Sequence, residues 1–299
     1  MNVRDALARL VTGESLSREE SRSAMRSLVE GEATPTQIGA FAIALRMKGE
    51  TPEEIAGLAE VMREAATHVH AGDDVVDVVG TGGDGAGTFN ISTLSALIVA
   101  SAGGRVAKHG NRSITSACGA ADFLEAIGVV IDLTPEGVAQ CVGETGFGFM
   151  FAPLYHPAMR HAIGPRREIG VRTVFNILGP ITNPAGARRQ LTGVAVPGLG
   201  ETIARVLALM GAQHAVVVHG DDGLDEISVS AATQVHEARD GSVRSYVIEP
   251  EQFGLPRSAP DAVRGGNVEA NVRLANAVLN GERGAARDVV LLNAGTAMA

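Results

Sequence analysis

The amino-acid sequence predicts an α/β fold, with a small N-terminal helical domain followed by a larger domain whose mainly parallel sheet is covered by helices. Two patterns carry this prediction. Residues 1–66 show only helical spacing of apolar residues, whereas from Val75 onward short apolar runs alternate with helical stretches. The composition agrees, because 37 glycines and only 3% aromatic residues suit tight strand-to-helix turns better than a β-sandwich.

The first 66 residues are predicted to form about four helices. Their starts are marked by Ser17 with Glu20 three residues later, and by the Thr-Pro pairs at 34–35 and 51–52. A unit this small has little apolar surface of its own. We therefore expect it to pack on the main domain, on a second copy of the chain, or on both.

The chain changes character near residue 70, so we predict a helical domain at 1–70, joined by part of 165–185, and an α/β domain at 71–299. Apolar runs that predict strands lie at 75–79, 105–107, 129–131, 147–151, 191–196, 215–219 and 243–248. Helical stretches lie between them at 92–102, 119–127, 135–143, 156–169 and 201–210. Ligands of such a sheet bind outside the carboxyl ends of its strands, where we expect the functional site.

Charge and cysteine content argue against several classes of protein. The formal net charge of −9, without a long basic block, argues against nucleic-acid binding. Two cysteines without CxxC spacing predict neither a disulfide framework nor a zinc site, and fit a reducing compartment. The first 30 residues are too charged for a signal peptide, and the most apolar run, 91–102, is too short to span a membrane. We expect a cytoplasmic protein without membrane contact.

The sequence GTGGDG at 80–85 follows an apolar run and matches the glycine spacing of dinucleotide-binding loops. Glycines there allow positive φ angles and close backbone approach, so that amide N–H groups can point at phosphate oxygens. A dinucleotide site also needs an acidic residue at the end of the next strand. That strand instead ends in the basic sequence KHGNR at 108–112. We interpret both loops as phosphate-binding, for a ligand with two separated phosphate groups, rather than as flexible surface loops.

An acidic turn containing Asp225 and Glu226 follows the predicted strand 215–219. Acids near two phosphate loops repel the ligand unless a cation lies between them. Mg²⁺ is typically held by one or two carboxylates together with phosphate oxygens. The turn therefore indicates either a magnesium site or a solvated acidic surface.

Residues 151–180 concentrate arginines and histidines. Most arginines of such a cluster are solvated or ion-paired, but an organic carboxylate in the ligand would be bound by one of them. The histidines lack the HExxH spacing of zinc enzymes, which favours packing or substrate contact over metal binding.

Together these stretches resemble the anthranilate phosphoribosyltransferase family, in family order and over nearly the whole chain. The matching motifs are GTGGDG at 80–85, NIST at 90–93, KHGNR at 108–112, GAAD at 119–122, FAPLYHPAM at 151–159, RREIGVRTVFNILGPITNP at 166–184 and GLDEIS at 223–228. The resemblance implies transfer of phosphoribose from 5-phosphoribosyl 1-diphosphate to the amino group of anthranilate, with release of diphosphate. It also implies a homodimer formed through the helical domain.

The resemblance further implies site residues. For phosphoribosyl diphosphate they are Gly80, Gly83, Asp84, Thr88, Asn90, Ile91, Ser92, Thr93, Lys108, His109, Gly110, Asn111, Arg112, Ser113, Ile114, Thr115, Ser116 and Ala120. For anthranilate they are Gly80, Asn111 and Arg166. Two Mg²⁺ ions per monomer are implied, one at Ser92 and Glu226 and one at Asp225 and Glu226. No covalent nucleophile or dedicated base is implied, because an aromatic amine is already a neutral nucleophile.

Two rival functions remain at this point. A pyrimidine-nucleoside phosphorylase shares the two-domain plan, but should lack the Asp225–Glu226 pair and the RREIG sequence at 166–170. A nucleic-acid-binding relative of the same fold needs a basic surface, which the net charge of −9 does not favour.

Overall fold

The structure is a computed structural model of the chain, and it describes residues 1–113 and 117–299. Ile114, Thr115 and Ser116, which the resemblance assigns to the phosphoribosyl diphosphate site, lie outside the described residues.

The N-terminal part contains the four predicted helices: α1 (Val3–Leu10), α2 (Arg18–Val29), α3 (Pro35–Lys48) and α4 (Pro52–Glu64). Each begins with a reciprocal capping box, in which a polar side chain accepts from the N–H three residues on and the side chain there binds back. The starts predicted at Ser17, Thr34 and Thr51 are confirmed. The cap of α1 is Asn2, which the sequence pattern did not reveal.

The helices of the larger domain lie between its strands and at its C-terminal end. They are α5 (Ile91–Ser101), α6 (Ala120–Ala126), α7 (Pro135–Thr145), α8 (Ala152–Tyr155), α9 (Arg160–Ile169), α10 (Phe175–Leu178), α11 (Leu199–Leu209), α12 (Val268–Leu279) and α13 (Ala285–Met298). Of the helix predicted at 156–169, only Arg160–Ile169 is α-helical, because Pro157–Met159 forms a 3₁₀ turn. No helix of the described residues is long and apolar enough to cross a membrane.

The described residues form one seven-stranded sheet in the order β3-β2-β1-β4-β5-β6-β7. Its strands are β1 (Val76–Gly80), β2 (Val106–Gly110), β3 (Phe147–Phe151), β4 (Arg189–Gly193), β5 (His214–Gly220), β6 (Thr233–Arg239) and β7 (Ser242–Ile248). The first five in spatial order are parallel, and β6 and β7 form an antiparallel extension. The predicted mainly parallel sheet is confirmed, and four of its five parallel strands end in glycine at one edge.

Two strand predictions need correction, and one strand was missed. Residues 129–131 form no strand, because β2 pairs with β3 instead and Ile131 contributes only its side chain to the core. The strand predicted at 191–196 ends at Gly193, where the backbone of Asp225 passes so closely that a Cβ atom would overlap its carbonyl oxygen. Strand β6 was missed because Glu237, a charged residue, is buried within it.

The segment containing α9 and α10 packs with the N-terminal helices. One apolar cluster joins Phe41 of α3 and Leu58 of α4 to Ala162 of α9 and Phe175 of α10. The same cluster continues to α11 and one face of the sheet, including Val217. On the other face of the sheet, α13 packs against α5. The helical layer therefore extends the core of the sheet and leaves its carboxyl edge next to α9 and α10.

Candidate active site

The glycine loop, residues 80–90, connects the end of β1 to the start of α5. Gly82, Gly83, Gly85 and Gly87 have φ angles between 62° and 74°, which only glycine adopts readily. The N-cap residue of α5, Asn90, makes no side-chain hydrogen bond to the first turn of the helix. The glycines therefore allow an anion to approach the backbone of the loop closely, although the N–H groups of Gly82 and Ser92 are bound to acidic side chains.

The acidic turn lies directly against this loop. A carboxylate oxygen of Asp225 accepts a hydrogen bond from the N–H of Gly82 at 2.7 Å, and Glu226 accepts one from the N–H of Ser92 at 3.1 Å. Gly80 must be glycine for this approach, because a Cβ there would lie 2.5 Å from Oδ2 of Asp225. Two predicted motifs that are far apart in sequence thus form one site.

Burial dominates the electrostatics of the two acids. Asp225 and Glu226 are 9% and 8% exposed. Burial, followed by the nearby charge of Asp84, raises the pKa of Asp225 to about 6. Burial, followed by the charge of Asp225, raises the pKa of Glu226 well above its ordinary value. Two adjacent carboxyl groups with so little compensation would be stabilised by a cation.

The chemistry of these groups fits Mg²⁺, which prefers oxygen ligands. Within residues 1–113 and 117–299, no three His, Cys, Asp or Glu side chains converge into a complete metal centre. Mg²⁺ does not require one, since it commonly uses one or two carboxylates, water and substrate phosphates. Asp225 and Glu226, with the Ser92 hydroxyl nearby, are suited to this mode of binding.

Lys108 of β2 lies between the loops. Its Nζ donates to the carbonyl of Val78 and, at 3.4 Å, to the hydroxyl of Ser92. Burial lowers the pKa of Lys108, while the charges of Asp77 and Glu226 oppose that change. The side chain therefore presents a buried cation beside the start of α5.

A buried acid and amide fix the end of β2. Asp77 accepts from the N–H of His109 at 3.3 Å and from the amide of Asn183 at 2.7 Å. The same amide donates to the carbonyl of Ala107 at 2.8 Å. Asn183 was not singled out from the sequence as a functional residue and appeared only within the motif at 166–184.

The basic turn after β2 is already internally bonded. The guanidinium of Arg112 pairs with Asp122 at 2.7 Å and with Glu125, and lies 5.5 Å from the centroid of the Phe151 ring. The side chain of the exposed Asn111 accepts from the N–H of Arg112 at 2.7 Å. Arg112 thus differs from Lys108, because the half-buried Asp122 and the exposed Glu125 compete with any phosphate for its guanidinium.

The remaining predicted residues differ in what they offer a ligand. Ile91 and Thr93 have buried side chains, so only their backbone groups could contact a ligand. Thr88 pairs with Arg264 through an isolated bridge. Ala120 begins α6 beside Gly110, and Ser113 donates its N–H to Asp122 at 3.2 Å.

The side chain of His109 faces another histidine. The rings of His109 and His156 meet edge-on with centroids 4.9 Å apart, and the Nδ1 of His109 contacts the carbonyl of Gly179 at 3.2 Å. Burial lowers the pKa values of His109 and His156 to about 3 and about 4. The Nε2 atoms of both rings are buried without a hydrogen-bond partner among the described residues. His156 was noted in the sequence, but no spacing rule paired it with His109.

Arg166 of α9 is a half-buried arginine of the predicted cluster. Its guanidinium carbon lies 6.0 Å from the centroid of the Phe175 ring, and burial lowers its pKa. Across residues 1–113 and 117–299, this guanidinium forms no hydrogen bond or ion pair. Arg167 is exposed. An unpaired, partly desolvated guanidinium is a suitable partner for a carboxylate ligand.

The geometry and two family models define the class of this protein. Residues 4–66 match the glycosyl transferase family, helical bundle domain, and residues 72–299 match the glycosyl transferase family, a/b domain. The chain is therefore a member of the glycosyl transferase family. Its helical bundle and its sheet are the two parts that these models describe.

The curated relatives and solved structures narrow the class. An anthranilate phosphoribosyltransferase of Chloroflexus aurantiacus is 55% identical over 300 residues, covering 100% of this chain and 88% of the relative. The crystal structure of anthranilate phosphoribosyltransferase from Thermus thermophilus has a TM-score of 0.92 and 46% identity, covering 98% of this chain and 88% of that one. The enzyme from Saccharomyces cerevisiae in complex with PRPP and Mg has a TM-score of 0.87 and 27% identity, covering 98% and 87%. This chain belongs to the anthranilate phosphoribosyltransferase family.

Proposed function

We propose that this protein transfers the phosphoribosyl group of 5-phosphoribosyl 1-diphosphate to the amino group of anthranilate, giving N-(5-phosphoribosyl)anthranilate and diphosphate in tryptophan biosynthesis. The observation that carries the proposal is the buried Asp225–Glu226 pair against the glycine loop, with Lys108 close by. Breaking the bond between C1 and diphosphate leaves negative charge on the departing group. Oriented N–H groups and cations that are fixed before the reaction stabilise such charge.

We propose two Mg²⁺ ions per monomer, one held by Ser92 and Glu226 and one by Asp225 and Glu226. Magnesium in the solved Saccharomyces cerevisiae relative supports metal binding in the family. When bound, Mg²⁺ would neutralise charge on diphosphate. The carboxyl groups would orient the ions, and the raised pKa values of Asp225 and Glu226 support this role because a cation offsets their buried charge.

Phosphate contacts are proposed along the glycine loop and the basic turn. The glycine loop and helix start contribute Gly80, Gly83, Asp84, Thr88, Asn90, Ile91, Ser92 and Thr93. The basic turn and the following helix contribute Lys108, His109, Gly110, Asn111, Arg112, Ser113, Ile114, Thr115, Ser116 and Ala120. The positive φ angles of the glycines support close backbone approach to phosphate, and the buried ammonium of Lys108 supports charge stabilisation.

Arg166 is the proposed partner of the anthranilate carboxylate, with Gly80 and Asn111 contributing to the same subsite. The half-buried, unpaired guanidinium of Arg166 beside the Phe175 ring supports this assignment. Since the aromatic amine is a neutral nucleophile, holding it near C1 contributes more to the rate of the reaction than a strong base would. We assign no covalent nucleophile and no dedicated base.

Domain boundaries, assembly and location are part of the proposal. We propose a helical domain of residues 1–70 joined by part of 165–185, supported by the packing of α9 and α10 on the N-terminal helices. A homodimer through this domain is supported by exposed apolar residues, among them Met47 and Val11, which are 83% and 68% exposed. Light scattering tests the dimer, and Met47→Arg should weaken it. The two cysteines of the chain, without CxxC spacing, give no disulfide framework to expect, which supports a cytoplasmic location.

The proposed reaction is tested by following the fluorescence of anthranilate. We expect it to fall when both phosphoribosyl diphosphate and Mg²⁺ are added, and to stay constant when either is omitted. The matched assay adds uridine and inorganic phosphate instead. Uracil release in that assay, without loss of anthranilate fluorescence in the first, would replace the proposal by a pyrimidine-nucleoside phosphorylase. Binding of single-stranded DNA at physiological salt would favour the nucleic-acid-binding alternative.

A further inference from the structure

We propose that Arg172 is a positioning residue that turns an amide of the glycine loop toward the phosphate ligand. The inference rests on the proposed function, because it takes the glycine loop as the site of phosphoribosyl diphosphate. Arg172 lies in the short connection between α9 and α10 and was not assigned a role from the sequence.

The guanidinium of Arg172 binds two consecutive carbonyl groups of the loop. Its Nη1 donates to the carbonyl of Gly82 at 2.6 Å, and its Nη2 donates to the carbonyl of Thr81 at 3.2 Å. The peptide unit between Thr81 and Gly82 is also held from the other end, because its N–H donates to Asp225 at 2.7 Å. A cation and an anion therefore fix the plane of this peptide.

The next peptide unit is oriented by the same contact. In a planar trans peptide, the N–H and C=O groups point in opposite directions. Because the carbonyl of Gly82 faces Arg172, the N–H of Gly83 faces away from the guanidinium. This N–H has no acceptor within residues 1–113 and 117–299. Arg172 thus leaves the Gly83 N–H as a directed donor for a phosphate oxygen.

Arg172 also fills the space beside Gly83. Gly83 has a φ angle of 74°, and a Cβ atom there would overlap Nη1 of Arg172. Gly85 has nearly the same φ angle, 73°, but a Cβ there would meet no atom of the described residues within 4 Å. An alanine at either glycine would therefore strain the backbone to a similar extent. Of the two, only an alanine at position 83 would also collide with Arg172.

The backbone of Arg172 connects this contact to the N-terminal helices. Its carbonyl accepts a hydrogen bond from Nη1 of Arg46, which belongs to α3. The side chain of Arg172 reaches the glycine loop, while its main chain is bound to α3. A displacement of the helical domain would therefore change the orientation of the loop amide.

The first test measures binding of Mg²⁺–phosphoribosyl diphosphate by calorimetry in Arg172→Ala and Arg172→Lys. Hydrogen bonds from a charged group are strong, so we expect Arg172→Ala to raise Kd about tenfold or more. Arg172→Lys should not restore binding, because an ammonium cannot bridge two carbonyls as a planar guanidinium does. KM for phosphoribosyl diphosphate should rise in parallel while KM for anthranilate stays constant. Arg167→Ala is the control and should bind like the parent.

The outcomes separate this inference from the proposed function. If the parent protein does not bind phosphoribosyl diphosphate, the proposed function fails. If the parent binds and folded Arg172→Ala binds equally well, or if Arg172→Lys restores affinity fully, the positioning role is wrong. A rise confined to the KM for anthranilate would also overturn it, because Arg172 would then bind the carboxylate. Circular dichroism and thermal unfolding establish that each variant is folded.

A double-mutant comparison provides the second test. Gly83→Ala should weaken binding of phosphoribosyl diphosphate more than Gly85→Ala does, because only the former meets Arg172. In an Arg172→Ala background, the difference between the two alanine variants should shrink. An undiminished difference would contradict the inference. Arg46→Ala should change binding in the same direction as Arg172→Ala, but by less, since it removes only the link to α3.

Discussion

The helical domain and the carboxyl edge of the sheet both bury acidic side chains, but in opposite ways. Glu54, at the start of α4, is fully buried and accepts from the N–H groups of Leu16 and Thr51, both at 2.8 Å. It also pairs with Lys48 at 2.9 Å. Asp225 and Glu226 are nearly as buried, yet they lie beside each other and have far fewer donors.

This difference distinguishes a buried carboxylate that the fold itself satisfies from buried carboxyl groups that the fold satisfies poorly. A buried carboxylate with several donors and a counter-ion is satisfied within the chain. Two adjacent buried carboxyl groups with raised pKa values are not satisfied in this way. Groups with such perturbed pKa values are concentrated at functional sites. We therefore expect substitutions in the two regions to affect different observables.

The largest effect is expected at the carboxyl edge. Replacing Asp225 by Asn and Glu226 by Gln together keeps the shape of the turn but removes both charges from the proposed magnesium site. We expect turnover to fall about a thousandfold, which corresponds to about 4 kcal/mol. The temperature of unfolding should stay constant or rise, because two poorly compensated buried charges are removed.

Steady-state kinetics over a range of Mg²⁺ concentrations, together with thermal unfolding, measure both effects. The control is Asp221→Asn, which changes an exposed acid at the start of the same turn. Near-parental turnover of the double variant would mean that the acidic turn is structural, and the contrast between the two regions would disappear.

The next largest effect is expected in the helical domain. Glu54→Ala removes the carboxylate that pairs with the buried side chain of Lys48 and leaves two backbone N–H groups without their acceptor, so we expect the free energy of unfolding to fall by about 3 kcal/mol. Activity per folded molecule should be unchanged, because Glu54 lies outside the proposed site. Urea denaturation compares it with Glu53→Ala, an exposed neighbour in the same helical turn. Equal stabilities of the two variants would show that the buried network contributes nothing.

The same contrast explains what the sequence could predict. In the helical domain, Ser17, Thr34 and Thr51 bind groups three residues away, so local sequence determines the helix starts. At the carboxyl edge, Asp225 contacts Gly82 across 143 residues. The two motifs were recognisable separately, and parallel-sheet topology placed them at one edge, but their contact required the folded chain.

Other features were hidden because their partners are distant. Strand β6 lacks a clear apolar pattern, since its buried Glu237 is satisfied by His214, Arg244 and Tyr246 from neighbouring strands. The arginines present the same difficulty. Arg112 is ion-paired, Arg166 has no ion pair with any described residue, and nothing in their immediate sequence distinguishes them. Charge can be counted in a sequence, whereas its availability to a ligand depends on tertiary contacts.

A third experiment sharpens the comparison by testing Arg166, whose guanidinium has no hydrogen bond or ion pair with the described residues. Arg166→Ala should raise the KM for anthranilate about ten- to a hundredfold, because a charged hydrogen bond contributes about 1.5–3 kcal/mol. Turnover at saturating anthranilate should change little if the carboxylate is bound equally before and during reaction. Arg167→Ala is the control, since successive helical residues face different directions.

Two results would contradict the assignment of Arg166 to the anthranilate carboxylate. If Arg166→Ala weakens only phosphoribosyl diphosphate binding, the unpaired guanidinium belongs to the phosphate site. If Arg167 is the sensitive position instead, the carboxylate subsite lies on another face of α9.

The smallest expected effect concerns His156, whose buried ring lacks a partner at Nε2 among the described residues. Burial lowers its pKa in the folded protein to about 4, against an ordinary value of 6.5. Between pH 6.5 and pH 4, His156 therefore binds a proton in the unfolded chain but not in the folded protein. The contribution of His156 to the free energy of unfolding is fully present above pH 6.5 and is lost as pH falls toward 4. At pH 5.5 the loss should be about 1.4 kcal/mol.

His156→Phe should remove this pH-dependent contribution to stability while keeping an aromatic ring. Between pH 7.5 and 5.5, the free energy of unfolding of the variant should therefore fall by about 1.4 kcal/mol less than that of the parent. Asp77, whose pKa is raised to about 6 by burial, acts with the opposite sign, but it is present in both proteins and cancels in the difference. His70→Phe, at an exposed histidine, is the control and should retain the parental change. If His156→Phe also retains the parental change with pH, burial of His156 does not make stability depend on pH. The contrast between the carboxyl edge and the helical domain would then not extend to this histidine.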